Sequence, residues 1–261
     1  MKFTLKIMGT ASAMPISDRN PSAQVLCAEG RFFLIDCGEG TQQQLRRAGV
    51  SFLKIEAVFI THIHGDHMFG LFGLLGSMAL YGRTADLYVY GPQALGSVLK
   101  FYESFFGEGM GYKVVFNAVK CREPETVHSS KHLTVTAFPL AHKIECYGYR
   151  FDGIASERHP VPPSYAYCSD TEAMPRLAGW LSGVDTLYHE ATYPAGLADK
   201  AACHHHSTTL DAARCALDAG VRRLLIGHYS SRVKDLDAFV QECRQIFPDT
   251  VAARDGDVFE I

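Results

Sequence analysis

The sequence lacks the features that would place the chain in a membrane or outside the cell. It contains no apolar run that approaches the roughly 20 residues needed to span a bilayer. Residues 1–6 lead directly into a strand pattern, without the apolar core of a signal peptide. The eight cysteines include no C-x-x-C pair, and most lie in apolar surroundings, as Cys27 does. We therefore predict a cytoplasmic protein without a membrane span, whose cysteines are reduced and buried.

The sequence also lacks a strong excess of positive or negative charge. It shows no change in composition that would mark a linker. The formal net charge is −3, and 20% of the 261 residues are charged while 47% are hydrophobic. This balance gives no overall attraction to nucleic acid, although it leaves room for a local basic patch. The length alone allows one large domain or two small ones. Without a linker, we predict a single domain over residues 1–261 with a sizeable core.

A cluster of potential metal ligands follows a short apolar strand. Residues 58–60 predict a buried strand, and directly after it come His62, His64, Asp66 and His67. A single histidine is more simply a packed or surface residue, but four such groups within six positions indicate a metal site. The ends of strands are where α/β folds place their sites. Imidazole and carboxylate groups suit zinc or another first-row divalent ion.

Three more candidate ligands each follow a predicted strand: His142, Asp170 and His228. Because strand ends at one edge of a sheet can converge on a single cleft, we predict that these side chains join the first cluster. Other histidines lie in polar, loop-like contexts, and we predict that they face solvent: His128, His132 and His159.

Asp36 ends another predicted strand and leaves two interpretations open. Its carboxylate could orient a metal-bound histidine through a hydrogen bond. It could equally cap the helix predicted over residues 43–48. The residues around Asp36 do not choose between these roles.

Apolar periodicity and turn residues predict a mixed α/β fold whose second half repeats the plan of the first. Strands are predicted over residues 3–8, 24–28, 31–35, 58–60, 87–90, 113–119, 133–140, 147–151, 165–168, 186–189 and 221–226. Helices are predicted over residues 43–48, 68–80, 94–106, 210–219 and 235–247. The proline-containing stretch 152–164 predicts a loop.

The motifs of the chain resemble those of one enzyme family. The histidine loop, H-x-H-x-D-H at residues 62–67, is similar to the signature of the metallo-β-lactamase superfamily. The other motifs are M-G-T-A-S-A-M-P at 8–15, D-C-G-E-G-T-Q at 36–42, P-L-A-H at 139–142, Y-C-S-D-T at 167–171, H-E-A-T at 189–192, H-S-T at 206–208 and G-H-Y-S-S-R at 227–232. In this order they resemble ribonuclease Z, the tRNA 3′-end processing endonuclease of that superfamily. The combination of H-E-A-T and H-S-T is far more specific than the histidine loop.

The resemblance implies an αββα sandwich with two zinc ions in each subunit. One ion is expected on His62, His64 and His142. The other is expected on Asp66, His67 and His228, with Asp170 bridging the two. The same ligand types are compatible with manganese, magnesium or iron. Such a metal pair can supply a hydroxide nucleophile at neutral pH.

The resemblance also implies an endoribonuclease that removes the 3′ trailer of precursor tRNA, acting as a homodimer. Asp66 is expected to accept the proton of the attacking water. Glu190 and His206 are expected to form the pair that protonates the leaving 3′-oxygen. The alternative for Glu190 is a buried salt-bridge partner of a nearby histidine. His204 and His205 are expected to be bystanders on an exposed loop.

One departure from the family concerns the long arm that grips tRNA. Residues 152–164 are too short to hold it and no other insertion replaces it, so either the arm is absent or residues are missing from this chain. Candidate phosphate contacts are Lys143, Arg232 and Lys234, although each could equally be a solvated surface charge. The missing arm favours an alternative in which the same metals act on small phosphodiesters or sulfate esters. A third hypothesis, a metal-binding scaffold without activity, predicts lost ligands, and the sequence retains all of them.

Overall fold

The computed structural model describes residues 3–155 and 160–261. In chain order its strands are β1 (Phe3–Gly9), β2 (Ala23–Ala28), β3 (Arg31–Ile35), β4 (Ile55–Phe59), β5 (Leu87–Pro92), β6 (Val114–Val119), β7 (Glu125–Ser129), β8 (Leu133–Pro139), β9 (Tyr147–Gly153), β10 (Ser164–Cys168), β11 (Thr186–Glu190), β12 (Arg223–Gly227), β13 (Thr250–Ala252) and β14 (Val258–Glu260). Its α-helices are α1 (Thr41–Arg47), α2 (Gly65–Met68), α3 (Leu71–Leu80), α4 (Gln93–Phe106), α5 (Leu177–Trp180), α6 (Ala198–Cys203), α7 (Thr209–Ala219) and α8 (Leu236–Arg244).

The strands form two seven-stranded sheets with the same plan. The first has the order β14-β1-β2-β3-β4-β5-β6, and the second has the order β13-β12-β11-β10-β9-β8-β7. In the first sheet the pairs from β14 to β3 are antiparallel and those from β3 to β6 are parallel. In the second the pairs from β7 to β10 are antiparallel and those from β10 to β13 are parallel. The repeat predicted from the sequence is therefore confirmed.

Side-chain alternation along the strands builds the core between the two sheets. In β1 the side chains of Phe3, Leu5 and Ile7 are fully buried, as period-2 alternation places them on one face. They belong to one apolar cluster with Tyr149 and Phe151 of the opposite sheet. The sheets thus pack face to face, as the resemblance implied.

Helices cover the outer face of each sheet. In α3 the buried residues Leu71, Leu74, Leu75 and Met78 repeat at the spacing of one helical face, and they pack on the first sheet. The second sheet is covered by α7, whose buried face consists largely of alanines. Together the layers give the predicted αββα order. No helix in the described ranges is both long and apolar enough to span a membrane.

Three local predictions are wrong. The cysteines are not all buried, since Cys203 is exposed. The residues around His128 form strand β7, and this side chain is only 9% exposed rather than facing solvent. Its ring packs against Phe33 and Phe59, and its Nδ1 lies 3.0 Å from the Tyr90 hydroxyl. Polar residues on both sides concealed this edge strand in the sequence. His132 is partly exposed, whereas His159 and the middle of the predicted loop 152–164 lie outside the described residues.

The helix predicted over residues 68–80 is interrupted at Gly70, between α2 and α3. The Gly70 amide donates to the carbonyl of Cys37 over 2.9 Å. A Cβ at Gly70 would lie 2.1 Å from the carbonyl oxygen of Gly38. The D-C-G-E-G-T-Q loop therefore packs directly against the backbone at this break.

Gly70→Ala is expected to destabilise the fold by about 1–3 kcal/mol, because the added methyl group collides with a backbone that cannot move aside cheaply. Chemical denaturation would measure the loss. Gly179→Ala is the matched control, since nothing lies within 4 Å of its Cβ position. Equal stability of the two variants would show that the loop moves aside without lowering the free energy of unfolding.

Candidate metal centre

All seven predicted ligands meet at one edge of the sandwich. Each follows a strand: the histidine loop follows β4, His142 follows β8, Asp170 follows β10 and His228 follows β12. Potential ligand atoms lie within 4.8 Å of one another in three overlapping groups: His62–His64–His142–Asp170, Asp66–His67–His228 and Asp170–Glu190–His206–His228. Both sheets therefore contribute donors to a single centre.

The first donor cluster contains three imidazoles and one oxygen of Asp170. The His64 Nδ1 lies 2.9 Å from the His62 Nε2 and 3.3 Å from the His142 Nε2. The Asp170 Oδ2 lies 3.8 Å from the Nε2 atoms of both His62 and His142.

The second cluster uses the other oxygen of Asp170. The Nε2 atoms of His67 and His228 are 3.3 Å apart, and each lies 3.5 Å from the Asp66 Oδ2. The Asp170 Oδ1 lies 3.4 Å from the His67 Nε2 and 3.1 Å from the His228 Nε2. The two oxygens of Asp170 thus face different clusters, which is the arrangement of a bridging ligand.

These donor sets fit zinc. A tetrahedral ion with ligands at about 2.0–2.1 Å keeps those ligands roughly 3.3 Å apart, within the 2.9–3.8 Å spread of the clusters. Burial lowers the pKa values of His62, His64 and His142, which favours the neutral imidazole, whose one unprotonated nitrogen can bind a metal. Burial also acts to lower the pKa of His67, but nearby carboxylates outweigh it and raise that pKa: Asp170, Asp36 and Asp66. These carboxylates favour a positive charge at the centre, which a metal supplies.

Further contacts fix the orientation of the imidazoles through their second nitrogens. The His62 Nδ1 lies 2.9 Å from the Thr61 hydroxyl, and the His228 Nδ1 lies 3.0 Å from the Thr192 hydroxyl. The His142 Nδ1 lies 2.9 Å from the backbone carbonyl of His205. Such contacts hold a ring in the tautomer that binds metal.

Of the two roles considered for Asp36, its contacts support orientation of a histidine and not capping of a helix. Its Oδ2 lies 2.7 Å from the His67 Nδ1 and accepts a hydrogen bond from the Tyr167 hydroxyl at 3.0 Å. Its Oδ1 accepts from the Thr61 amide at 2.8 Å. The residue at the start of α1 is instead Gly40, and no side chain caps that helix.

Asp36→Asn is expected to weaken metal binding by about 10–100-fold, because the neutral amide no longer holds the His67 ring as a charged acceptor. Competition with a chromophoric chelator would measure the affinity. Asp218→Asn, on the exposed side of α7, is the control. If the folded Asp36→Asn protein bound metal like the unaltered chain, Asp36 would have no orienting role.

Glu190 and His206 form a hydrogen-bonded pair beside Asp170. The His206 Nδ1 lies 2.8 Å from the Glu190 Oε1 and 3.9 Å from the Asp170 Oδ2. Glu190 is fully buried and also accepts hydrogen bonds from the amides of Thr171 and Ser207 at 2.7 and 3.1 Å. Burial acts to lower the pKa of His206, but the charge and hydrogen bond of Glu190 raise it to about 9. The pair can hold a proton next to the metal centre.

His206 and members of both clusters line a cavity of about 730 Å³. Lys143 and Arg232 line it, whereas Lys234 lines a neighbouring cleft. His204 also lines the cavity, so it lies closer to the site than a bystander would. His205 is partly exposed, but its carbonyl holds His142.

Sequence reasoning missed the backbone contributions to this centre. The Ala13 amide donates to the Asp66 Oδ2 over 2.7 Å. Five non-glycine residues in the described ranges have positive φ, and four of them lie at the site: Ala13, Asp36, His205 and His228. Strained backbone of this kind is retained where it positions functional groups.

Comparison with known proteins finds a superfamily domain in the chain and names relatives of known family. Residues 31–229 match the family model described as Beta-lactamase superfamily domain. Ribonuclease Z of Bacteroides fragilis is 36% identical, with 98% of each chain covered, and Ribonuclease Z of Porphyromonas gingivalis is 35% identical, with 97% of each covered. Human tRNase Z, short form, superposes with a TM-score of 0.83 at 27% identity over 98% of each chain.

The alignment with the Bacteroides fragilis protein runs over 297 positions. This exceeds the 261 residues of the present chain, so that relative has residues without a counterpart here. A diphosphatase of the PhnP family shares the fold, with a TM-score of 0.77 at 23% identity over 100% of this chain and 98% of that one. The sequence matches and the superposition confirm the resemblance drawn from the motifs: the chain belongs to the ribonuclease Z family of the beta-lactamase superfamily.

Proposed function

We propose that this protein is a zinc-dependent endoribonuclease that removes the 3′ trailer of precursor tRNA. The observation that carries the proposal is the presence of two donor clusters that meet at Asp170. The Glu190–His206 pair lies beside them, with the His206 Nδ1 3.9 Å from the Asp170 Oδ2. The names of the relatives, Ribonuclease Z and tRNase Z, support tRNA as the substrate.

The two clusters would hold two zinc ions in each subunit. His62, His64 and His142 would hold one ion, Asp66, His67 and His228 would hold the other, and Asp170 would serve both. Manganese, magnesium or iron would accept the same donors. When bound, such ions supply an activated water at neutral pH and neutralise charge on the phosphoryl group.

The protein side chains accept and donate the protons of the reaction. Asp66 accepts the proton of the attacking water, and the Ala13 amide keeps its carboxylate directed at the centre. His206 carries a proton because Glu190 favours its charged form, and it delivers that proton to the leaving 3′-oxygen. The hydrogen bonds of Glu190 suit its role as the partner of a proton donor. They would equally stabilise a buried carboxylate in a salt bridge with His206, so both interpretations of Glu190 fit the structure.

Substrate binding in this chain depends on few local cations. Lys143 and Arg232 line the cavity and are positioned for phosphate contacts. We propose a cytoplasmic homodimer in which tRNA lies across both subunits, since one subunit without an arm offers little surface for the tRNA body. The chain acts as one hydrolase domain over residues 1–261.

The decisive test is cleavage of a 3′-extended precursor tRNA by purified protein, with zinc content measured on the same sample. We expect a cut next to the acceptor stem that is lost on chelation and restored by zinc. Two bound metals with no tRNA cleavage would contradict the proposal. Hydrolysis of bis(p-nitrophenyl) phosphate in that case would support the alternative, a hydrolase of small phosphodiesters or sulfate esters, which the missing arm favours.

A further inference from the structure

A second, smaller cleft adjoins the metal cavity on the side of His206. Its volume is about 290 Å³, and it shares four lining residues with the cavity: Thr192, Tyr193, Ser230 and Arg232. Tyr193 lines both spaces, and the centroid of its ring lies 6.2 Å from that of His206. A ligand in this cleft would therefore lie beside the group assigned to the leaving oxygen.

The cleft combines apolar walls with a cationic rim. Its apolar surface comes from the segment after β11, from the loop before α8 and from α8 itself: Pro194, Leu197, Val233, Ala238 and Phe239. The Lys200 ammonium lies 5.6 Å from the Tyr193 ring centroid, and Arg232 and Lys234 are exposed at the edge. The one acid of the lining, Asp235, already accepts hydrogen bonds from the first amides of α8. An aromatic wall flanked by cations suits a nucleobase and its phosphate.

The cleft is held in shape by neighbouring elements. The Tyr193 carbonyl accepts a hydrogen bond from the Thr209 amide at 3.0 Å, which ties the H-E-A-T segment to the H-S-T segment. Glu242 of α8 accepts from the Ala195 amide at 2.9 Å and also from the Thr209 hydroxyl. Because these contacts fix the walls in advance, a ligand has little to reorganise on binding.

We propose that this cleft binds the nucleotide on the 5′ side of the scissile phosphate, the nucleotide whose 3′-oxygen departs. Its base lies against Tyr193, and its own 5′-phosphate lies near Lys200, Arg232 and Lys234. This assignment rests on the proposed function, since it uses His206 as the proton donor to that oxygen. Every base has a face that can stack on an aromatic ring, so the cleft positions the new 3′ end without selecting one base.

Binding of AMP to the zinc-loaded protein tests the cleft directly. In saturation-transfer difference NMR, we expect signal on the adenine protons with the unaltered protein and with Tyr193→Phe, and its loss with Tyr193→Leu. Tyr88→Leu is the matched control, because Tyr88 is a 41% exposed tyrosine on β5 that lines neither space. An equal signal in the Tyr193→Leu protein would show that the Tyr193 ring does not hold the base and would overturn the proposal.

Cleavage of precursor tRNA gives an independent test. Tyr193→Leu is expected to lower kcat/KM about tenfold through the loss of base stacking, to a similar extent whichever base precedes the cut. Tyr193→Phe, which keeps the aromatic ring, should lose less, and Tyr88→Leu should cleave like the unaltered protein. If the unaltered protein cleaves and Tyr193→Leu cleaves equally well, the cleft assignment fails and the proposed function stands. If the unaltered protein cleaves no precursor, the proposed function fails, and the AMP experiment still decides whether the cleft binds a nucleotide.

Discussion

Asp66→Ala is expected to abolish hydrolysis and to leave about one metal ion in each chain. The substitution removes a donor that lies 3.5 Å from the Nε2 atoms of both His67 and His228. It also removes the group that we assign as acceptor of the proton from water. Loss of both functions should lower turnover by about 10⁴-fold or more. Turnover of precursor tRNA and metal content of the same sample would be measured together.

The control for this variant is Asp218→Asn, which should keep full activity and both metals. A folded Asp66→Ala protein that retained two metals and near-normal turnover would exclude Asp66 from both roles. Two retained metals without turnover would restrict Asp66 to proton transfer and leave the second ion to the remaining donors.

His206→Ala is expected to slow RNA cleavage by about 10²–10³-fold while both metals stay bound, as loss of a general acid predicts. The substitution removes the imidazole that lies 2.8 Å from the buried Glu190 carboxylate and that we assign as the proton donor. Bis(p-nitrophenyl) phosphate gives a second measurement, because its leaving group departs without needing a proton. The variant should therefore be less impaired on this ester than on RNA.

His132→Ala, a substitution outside the site, is the control for His206→Ala. Near-normal RNA cleavage by His206→Ala would remove the leaving-group role. Loss of a metal from the variant would move His206 into the ligand shell, as would an equal defect on both substrates together with weaker zinc binding.

The sequence was sufficient to predict the groups that carry distinctive chemistry. Imidazoles and carboxylates are rare enough at strand ends that His142, Asp170 and His228 could be singled out before the sheets were known. The apolar alternation of β1 and the repeated plan of the two halves likewise predicted the layered fold.

What the sequence could not reveal depends on backbone groups, which every residue has. The Ala13 amide on Asp66 and the His205 carbonyl on His142 leave no signature in side-chain type. His128 was misassigned for a related reason: an edge strand with polar neighbours has the composition of a loop. The break at Gly70 was concealed because apolar residues continue on both sides of it.

The pairing of β1 with β14 affects how the chain folds while it is translated. Leu5 lies opposite Phe259, so β1 pairs with a strand that follows it in the chain by about 250 residues. Translation delivers chain segments in order, and until Val258–Glu260 emerge, β1 keeps one edge unpaired. While the residues between these two strands are made, the ribosome-bound chain displays an open sheet edge. Chaperones that shield such edges are expected to matter more for this protein during translation than after it.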